Sequence, residues 1–167
     1  ELIVGGEFTE AGGLPMLFIS KWNGTQWLTD LGDMGSIVTS FAIYNNKLIV
    51  GGYFTEADGV PVNYITQYTN TGWAPIGSGV VGVQGQVMDL EVYNNELIAG
   101  GFFTAAGGVS ANHVAKWNGT TWSALGSGIS NIVYTFTNYN GNLIAGGLFL
   151  SAGGVPAFVA RAASQHK

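Results

Sequence analysis

Short apolar stretches separated by Gly- and Asn-rich turns run along the whole chain. VTSFAIY and LIVGGYFT, at 38–44 and 48–55, flank Asn45-Asn46, which is typical of two strands joined by a tight turn. After the loop EADGVP, NYITQYT at 63–69 and WAPI at 73–76 predict two more strands. Apolar residues nowhere recur at i, i+3, i+4 and i+7 over a helical length. The pattern therefore predicts an all-β chain of short antiparallel strands.

This four-strand pattern repeats. The Gly-Gly pairs at 5–6, 51–52, 100–101 and 146–147 are spaced by 46, 49 and 46 residues, and the tryptophans follow the same steps. Four antiparallel strands in about 46 residues make one β-propeller blade. The period thus predicts a single propeller segment over residues 1–167, with about 3.5 repeats of 46–49 residues. The predicted units are a partial blade at 1–32, blades at 37–79 and 86–128, and a partial blade at 131–163.

The recurring glycines and tryptophans are interpreted first as structural. Glycine in the middle of a strand weakens it, so each Gly-Gly pair predicts close approach of the neighbouring sheet. The tryptophans are expected to pack between strands, because a binding residue has no reason to recur in every unit. A sugar-stacking platform is the alternative. The residues with this predicted structural role are Gly5, Gly6, Trp22, Trp27, Gly51, Gly52, Trp73, Gly100, Gly101, Trp117, Trp122, Gly146 and Gly147.

The succession of a Gly-Gly strand, A-G-G-V-P, W-N-G-x-x-W-x-x-L-G-S-G and V-Y-N resembles kelch-type β-propeller repeats. It is similar to the repeats of large exported bacterial surface proteins and to the central propeller of galactose oxidase. The resemblance spans the whole chain and implies a scaffold at the cell surface or outside the cell, but no particular activity. In the last unit Ala163 replaces the first tryptophan of the pair. The chain begins with a second strand and ends with a third, so we expect more of the same chain or another subunit to close the propeller.

Composition narrows the possible partners. Charged residues make up 9% of the chain, against roughly 25% in ordinary soluble domains. A net charge of −5 with five scattered basic residues argues against nucleic acid and against anionic membrane surfaces. No apolar run reaches the ~18 residues that a membrane span needs, so no membrane insertion is expected. The absence of cysteine excludes disulfides, thiolate metal sites and the copper site of galactose oxidase, which needs a cross-linked Tyr-Cys pair.

Motifs for catalysis are absent. His113 and His166 are the only histidines, and neither has a second ligand at metal-binding spacing. There is no G-x-S-x-G nucleophile motif, and no G-x-G-x-x-G opens a helix. We therefore expect no cofactor, no metal and no enzyme activity in this segment. Asp89 and Glu91, at i and i+2 on a predicted first strand, are expected to line a solvated channel, with a bound cation as the alternative.

One end of the predicted blades carries the longer loops, and function usually lies in longer loops on a rigid scaffold. The candidate partner-binding residues at that end are Glu10, Asp33, Glu56, Asp58, Gln84 and Gln86. Their acidity favours a basic or cation-bridged protein or glycan partner. The first hypothesis is a non-enzymatic module for adhesion, protein interaction or structural display. The second is a carbohydrate-binding, lectin-like propeller or the platform of a glycan-active enzyme.

Overall fold

The computed structural model describes residues 1–153 and 155–156, and this part of the chain contains strands and turns but no helix. The second and third units each form one four-stranded antiparallel sheet in which sequential strands are neighbours. The four strands of the second unit are Val38–Tyr44, Lys47–Gly52, Ile65–Thr69 and Gly72–Pro75. Those of the third unit are Gln86–Tyr93, Glu96–Phe102, Val114–Trp117 and Trp122–Ala124.

The outer units are described in part. The first unit has a three-stranded sheet that corresponds to second, third and fourth strands, at Leu2–Gly5, Ile19–Trp22 and Trp27–Leu28. The fourth unit has a first strand, Val133–Tyr139, paired with a second strand, Asn142–Gly147. The predicted third strand of that unit, Ala163 and His166 lie outside the described residues. For the part of the chain that the structure describes, the prediction of short antiparallel strands is confirmed.

The first and second strands of each complete unit are joined by an Asn-Asn turn. Asn45 and Asn46 have φ of 49° and 59°, and Asn94 and Asn95 have φ of 50° and 61°. Positive φ at both central residues gives the turn type whose twist matches that of the flanking strands, and asparagine tolerates this conformation well. The asparagine pairs therefore fix the register, with Tyr44 opposite Lys47 and Tyr93 opposite Glu96.

The link between second and third strands differs from the predicted loop. The second strand ends at Gly52 rather than Thr55, because Tyr64, with φ of 64°, interrupts the ladder opposite it. The EADGVP segment then forms a hairpin of its own around Asp58, whose φ is 47°. The short hairpin strands are Glu10–Ala11 with Leu14–Pro15, Glu56–Ala57 with Val60–Pro61, Ala105–Ala106 with Val109–Ser110, and Ser151–Ala152 with Val155–Pro156.

The segments that connect successive units pair with these hairpins. Val80–Val81 forms a short strand against Ala105–Ala106 of the following unit. Single bridges join Met34 to Ala57 and Ile129 to Ala152 in the same way. Each connection is thereby strapped to the unit that follows it, at the end of the sheet away from the Asn-rich turns.

Successive units stack face to face, and the sheets of the second and third units bury apolar residues on both sides. The first strands pack on one another, 38–44 on 86–93 and 86–93 on 133–139. Val50 and Ile49 are adjacent on one strand but point to opposite faces. Val50 packs in the cluster shared with the preceding unit, and Ile49 packs in the cluster shared with the following unit. Burial of both faces explains why apolar residues do not alternate strictly with polar ones along the strands. The core of this molecule therefore lies between its sheets.

Candidate functional site

In the first three units, the first glycine of the Gly-Gly pair lets the next unit approach. A Cβ on Gly51 would lie 2.5 Å from Val87 Cγ1, and one on Gly100 would lie 2.5 Å from Phe136 Cε2. Real Cβ atoms do not approach other carbons so closely, so any side chain here would push the next unit away. The first glycine is thus placed at the interface between units.

The second glycine has a different role. A Cβ on Gly52 would collide with the carbonyl oxygen of Ile37, and one on Gly101 with that of Gln86. Each carbonyl stands at the start of its unit's own first strand, beside a β-bulge. In the third unit the bulge shifts the register between Val87 and Asp89, and the second unit has a bulge at the equivalent place. The second glycine therefore makes room for a bulge, which sequence reasoning missed.

The tryptophans of the second and third units lie in the interfaces between units. Trp73 and Trp122 are 6% and 5% exposed. Trp73 donates its indole N–H to the carbonyl of Leu31 at 2.6 Å, and Trp122 donates to that of Ile76 at 2.9 Å. Both acceptors belong to the preceding unit. A buried indole N–H that meets a carbonyl stabilises the contact through packing and hydrogen bonding together.

The tryptophan pair of the first unit lies in more open surroundings. Trp22 and Trp27 have ring centroids 5.3 Å apart and are both half-buried. They line a groove of about 480 Å³ together with Leu14, Thr25 and Gln26. Aromatic rings beside hydroxyl and amide groups form a surface on which apolar and polar parts of a ligand can both be contacted.

Asp89 joins three units through its carboxylate. Its Oδ1 accepts from the hydroxyl of Ser40 at 2.8 Å and from its neighbour Leu90 N at 2.9 Å. Its Oδ2 accepts from Phe136 N of the fourth unit at 2.6 Å. The first strand is the edge of its sheet, and every other N–H on such an edge lacks a strand partner. Asp89 supplies that partner for Phe136 N, and both Asp89 and Glu91 are half-buried on the same strand. That these two residues line a channel stays a prediction.

Three of the predicted partner-binding residues meet at one junction between a connection and a hairpin. Asp58 N donates to Asp33 O at 2.7 Å, and Gly35 N donates to Glu56 O at 2.9 Å. The carboxylate of Asp33 also accepts from Leu17 N at 3.0 Å, which ties it to the preceding unit. The side chains of Asp33, Glu56 and Asp58 are exposed. Backbone pairing thus fixes three carboxylates at one surface.

The other predicted residues lie at neighbouring junctions. Glu10 is exposed in the hairpin of the first unit, at the position that Glu56 holds in the second. Gln84 is exposed in the connection between the second and third units, beside Val83, which is 98% exposed. Gln86 begins the first strand of the third unit and is half-buried. The hairpin position changes from Glu10 and Glu56 to Ala105 and Ser151 in the later units.

Groups suited to catalysis or metal binding do not cluster in the described residues. No three His, Asp or Glu side chains within that range lie close enough to hold a metal. His113 stacks on Phe102 with centroids 5.6 Å apart, and its Nδ1 makes no hydrogen bond within the described chain. Burial lowers the pKa of His113 below its usual value of 6.5. In the same part of the chain, no helix has the length and apolarity to cross a membrane.

Comparison with known proteins supports the fold. A family model described as "Domain of unknown function (DUF5122) beta-propeller" matches residues 45–72. These residues run from the Asn-Asn turn through the Gly-Gly strand and the hairpin to the start of the fourth strand. No curated protein and no solved structure matches the chain. The short family match and the stacked antiparallel sheets agree, and the predicted fold class is confirmed: the chain is an all-β segment of the β-propeller type.

Proposed function

We propose that this segment is a non-enzymatic propeller module that binds a partner through its hairpin end. In this proposal it belongs to an exported or cell-surface protein with kelch-like repeats and serves adhesion, protein interaction or display. The observation that supports it is the junction of Asp33, Glu56 and Asp58, where exposed carboxylates stand on a hydrogen-bonded strap. Trp73 and Trp122, the repeated tryptophans of the middle units, by contrast lie in the core.

The hairpin end offers more to a partner than the turn end. At the turn end, Asn45 and Asn46 must keep positive φ, so both sequence and shape are constrained there. At the hairpin end each unit projects a separate hairpin whose side chains differ between units. Variable side chains on a rigid frame are the usual arrangement of a recognition surface.

The charge of this surface selects the class of partner. Carboxylates repel one another and anionic ligands, whereas a lysine- or arginine-rich segment or a bridging cation relieves that repulsion. A partner held by exposed charges associates more slowly and less tightly as salt rises. We therefore propose a basic protein segment as the partner class.

A direct test uses labelled oligolysine and oligoglutamate peptides of equal length as probes in fluorescence anisotropy. Oligolysine is expected to bind at low salt and oligoglutamate is not. The Glu56→Gln variant, which removes one carboxylate, should weaken oligolysine binding. The matched control is Glu96→Gln, which removes a carboxylate at the turn end, where Glu96 pairs with Lys116 at 2.9 Å. Equal weakening by both variants would show that net charge alone attracts the peptide and would contradict the proposed surface.

A carbohydrate ligand is the second candidate, supported by the half-buried Trp22–Trp27 pair and its polar neighbours Thr25 and Gln26. Sugar rings stack on exposed indole faces and hydrogen-bond to nearby amides and hydroxyls. A glycan array with wild-type protein and with Trp27→Ala separates the two candidates. Several hits that disappear in Trp27→Ala would favour the lectin-like or glycan-enzyme platform. An array without hits would leave the protein partner.

A further inference from the structure

The connection between the second and third units is the longest of the three that the structure describes, and it carries exposed apolar side chains. From the residue that bridges to the hairpin up to the residue before the bulged strand, it covers 80–86, whereas the other connections cover 34–37 and 129–132. Within this longer connection, Val81 is 45% exposed and Val83 is 98% exposed. The additional residues therefore place aliphatic side chains in water.

Packing of the neighbouring glycines fixes where Val83 stands. A Cβ on Gly82 would lie 3.0 Å from Phe103 Cα, and one on Gly85 would collide with the ring of Tyr64. The backbone is thus held closely against the third and second units on either side of Val83. Exposure of an aliphatic side chain costs hydration free energy that a polar residue would not cost. A partner that covers Val83 recovers this free energy.

One pair of facing positions, between a connection and the hairpin that follows it, differs in chemistry between adjacent units. In the third unit Val81 lies opposite Ala105. In the second unit Gly35 takes the place of Val81, and its N–H donates to Glu56 O at 2.9 Å. The same place is therefore acidic in the second unit and apolar in the third. Val81, Val83 and Ala105 are called the valine patch below.

Backbone hydrogen bonding connects the valine patch to the acidic hairpin. Val80 N donates to Asn63 O at 3.2 Å. Asn63 closely follows Val60–Pro61, the strand that pairs with Glu56–Ala57. Sheets packed face to face lie about 10 Å apart, and an extended chain advances about 3.3 Å per residue. A bound segment therefore needs at least about three extended residues to reach from the acidic hairpin to the valine patch.

The chemistry of the two places selects the occupant. A lysine or arginine beside Glu56 and an aliphatic side chain on the valine patch complement both. A second copy of this chain would instead bring further carboxylates to an acidic surface, and a net charge of −5 opposes that association. Stable contact with a folded partner takes roughly 800 Å² from each side, far more than three small side chains provide. A short amphipathic segment fits this patch better.

We infer that the hairpin end recognises an extended basic segment that carries an aliphatic residue at least about three positions from its basic residues. The basic residues lie on the acidic hairpin of the second unit, and the aliphatic side chain covers Val83 and Val81 in the third. This inference rests on the proposed function, and it adds the sequence pattern that distinguishes the partner from other basic segments.

The test compares two labelled peptides in fluorescence anisotropy with the full chain. Both have lysines at the centre; one has leucines at each end, about three residues from the lysines, and the other has serine in place of every leucine. The leucine peptide is expected to bind wild type about 10-fold more tightly, because it buries aliphatic surface on both partners. Both affinities should fall as salt rises while their ratio persists, since salt screens only the charges.

Variants of the chain locate the gain. Val83→Ser should reduce the affinity ratio to about 2-fold or less. A substitution at so exposed a residue should leave stability nearly unchanged. The matched control is Ile43→Ser, which changes an exposed apolar residue at the turn end and should keep the full ratio. Glu56→Gln should weaken both peptides by the same factor and so leave the ratio unchanged.

Each contrary result has a distinct meaning. Equal affinity of the two peptides for wild type, or a ratio that survives Val83→Ser, would overturn the inference, and the acidic surface would stand if Glu56→Gln still weakened both. Loss of the ratio in Ile43→Ser would indicate general apolar adhesion and overturn it as well. No binding of either peptide would overturn both the inference and the proposed function. In sedimentation velocity, a wild-type dimer that Val83→Ser dissociates would assign the patch to a second copy and overturn the inference.

Discussion

Trp27 and Trp122 hold the same place in two repeats but lie in different surroundings. Trp122 is 5% exposed, and its indole donates to a carbonyl of the preceding unit. Trp27 is half-buried and packs on Gly12 of its own unit, where it lines a groove. The repeat fixes where the ring stands in its sheet, whereas the neighbouring unit decides whether that ring is core or surface.

The Gly-Gly pairs show the same contrast. Gly52 faces the carbonyl of Ile37 on the first strand of its unit, and a side chain there would collide with it. Gly6 is its counterpart in the first unit, where the nearest atom to a Cβ is 3.8 Å away in Phe8. Within the described residues, a glycine that faces backbone in one unit therefore has open space in another, because the constraint comes from the structure around it.

The largest expected effect concerns the tryptophans. Trp122→Ala should lower the free energy of unfolding by roughly 3–5 kcal/mol, because it opens a cavity and leaves Ile76 O without its indole donor. Trp27→Ala should cost about 1 kcal/mol, since the ring is already half in water. Urea unfolding followed by circular dichroism measures both. Equal losses of unfolding free energy would show that Trp27 contributes as much to the core as Trp122.

The glycines come next. Gly52→Ala should destabilise by about 1–3 kcal/mol, because the colliding atom is backbone and the bulge cannot yield easily. Gly6→Ala should change stability by no more than about 0.5 kcal/mol, since space is present and alanine restricts the unfolded chain. Thermal unfolding of the two variants side by side checks this. A costly Gly6→Ala would mean that the first unit is packed as tightly as the second.

Asp89 tests whether polar contacts also hold the interfaces. Asp89→Ala removes the acceptor of Phe136 N and should cost about 1–3 kcal/mol for a buried donor left unpaired. Glu91→Ala, on the same strand, is the matched control and should cost less than about 0.5 kcal/mol. Denaturant titration distinguishes them. Small losses for both variants would show that the hydrogen bonds of Asp89 do not stabilise the interfaces.

The smallest effect is a pH dependence from His113. Burial lowers its folded-state pKa below 6.5, so the unfolded chain takes up a proton more readily than the native protein. This residue therefore lowers stability as pH falls below about 6.5 toward the folded pKa and has no such effect above that range. Tyr64 holds the same position in the second unit, with a similar positive φ. His113→Tyr should thus lose less stability than wild type between pH 7.5 and pH 5 in urea titrations, and parallel losses would contradict the assignment.

Part of the candidate site was visible in the sequence. The acidic side chains at Asp33, Glu56 and Asp58 could be assigned to one end because strand order and period place every loop. Their meeting at one junction was not predictable, since it depends on pairing between a connection and the hairpin of the next unit. The bridging role of Asp89 was missed for the same reason. Its partners, Ser40 and Phe136, are 49 and 47 residues away in the chain.

By itself the sequence determined the all-β class, the period and the turn positions, because these follow from local preferences for strand, glycine and asparagine conformations. Only the tertiary structure decided which copy of a repeated residue is core and which is at the surface. Trp27 and Trp122 carry the same local signal, but their environments depend on what stacks against each sheet. Burial and hydrogen bonding between units arise from contacts over nearly a full repeat, and no local pattern encodes them.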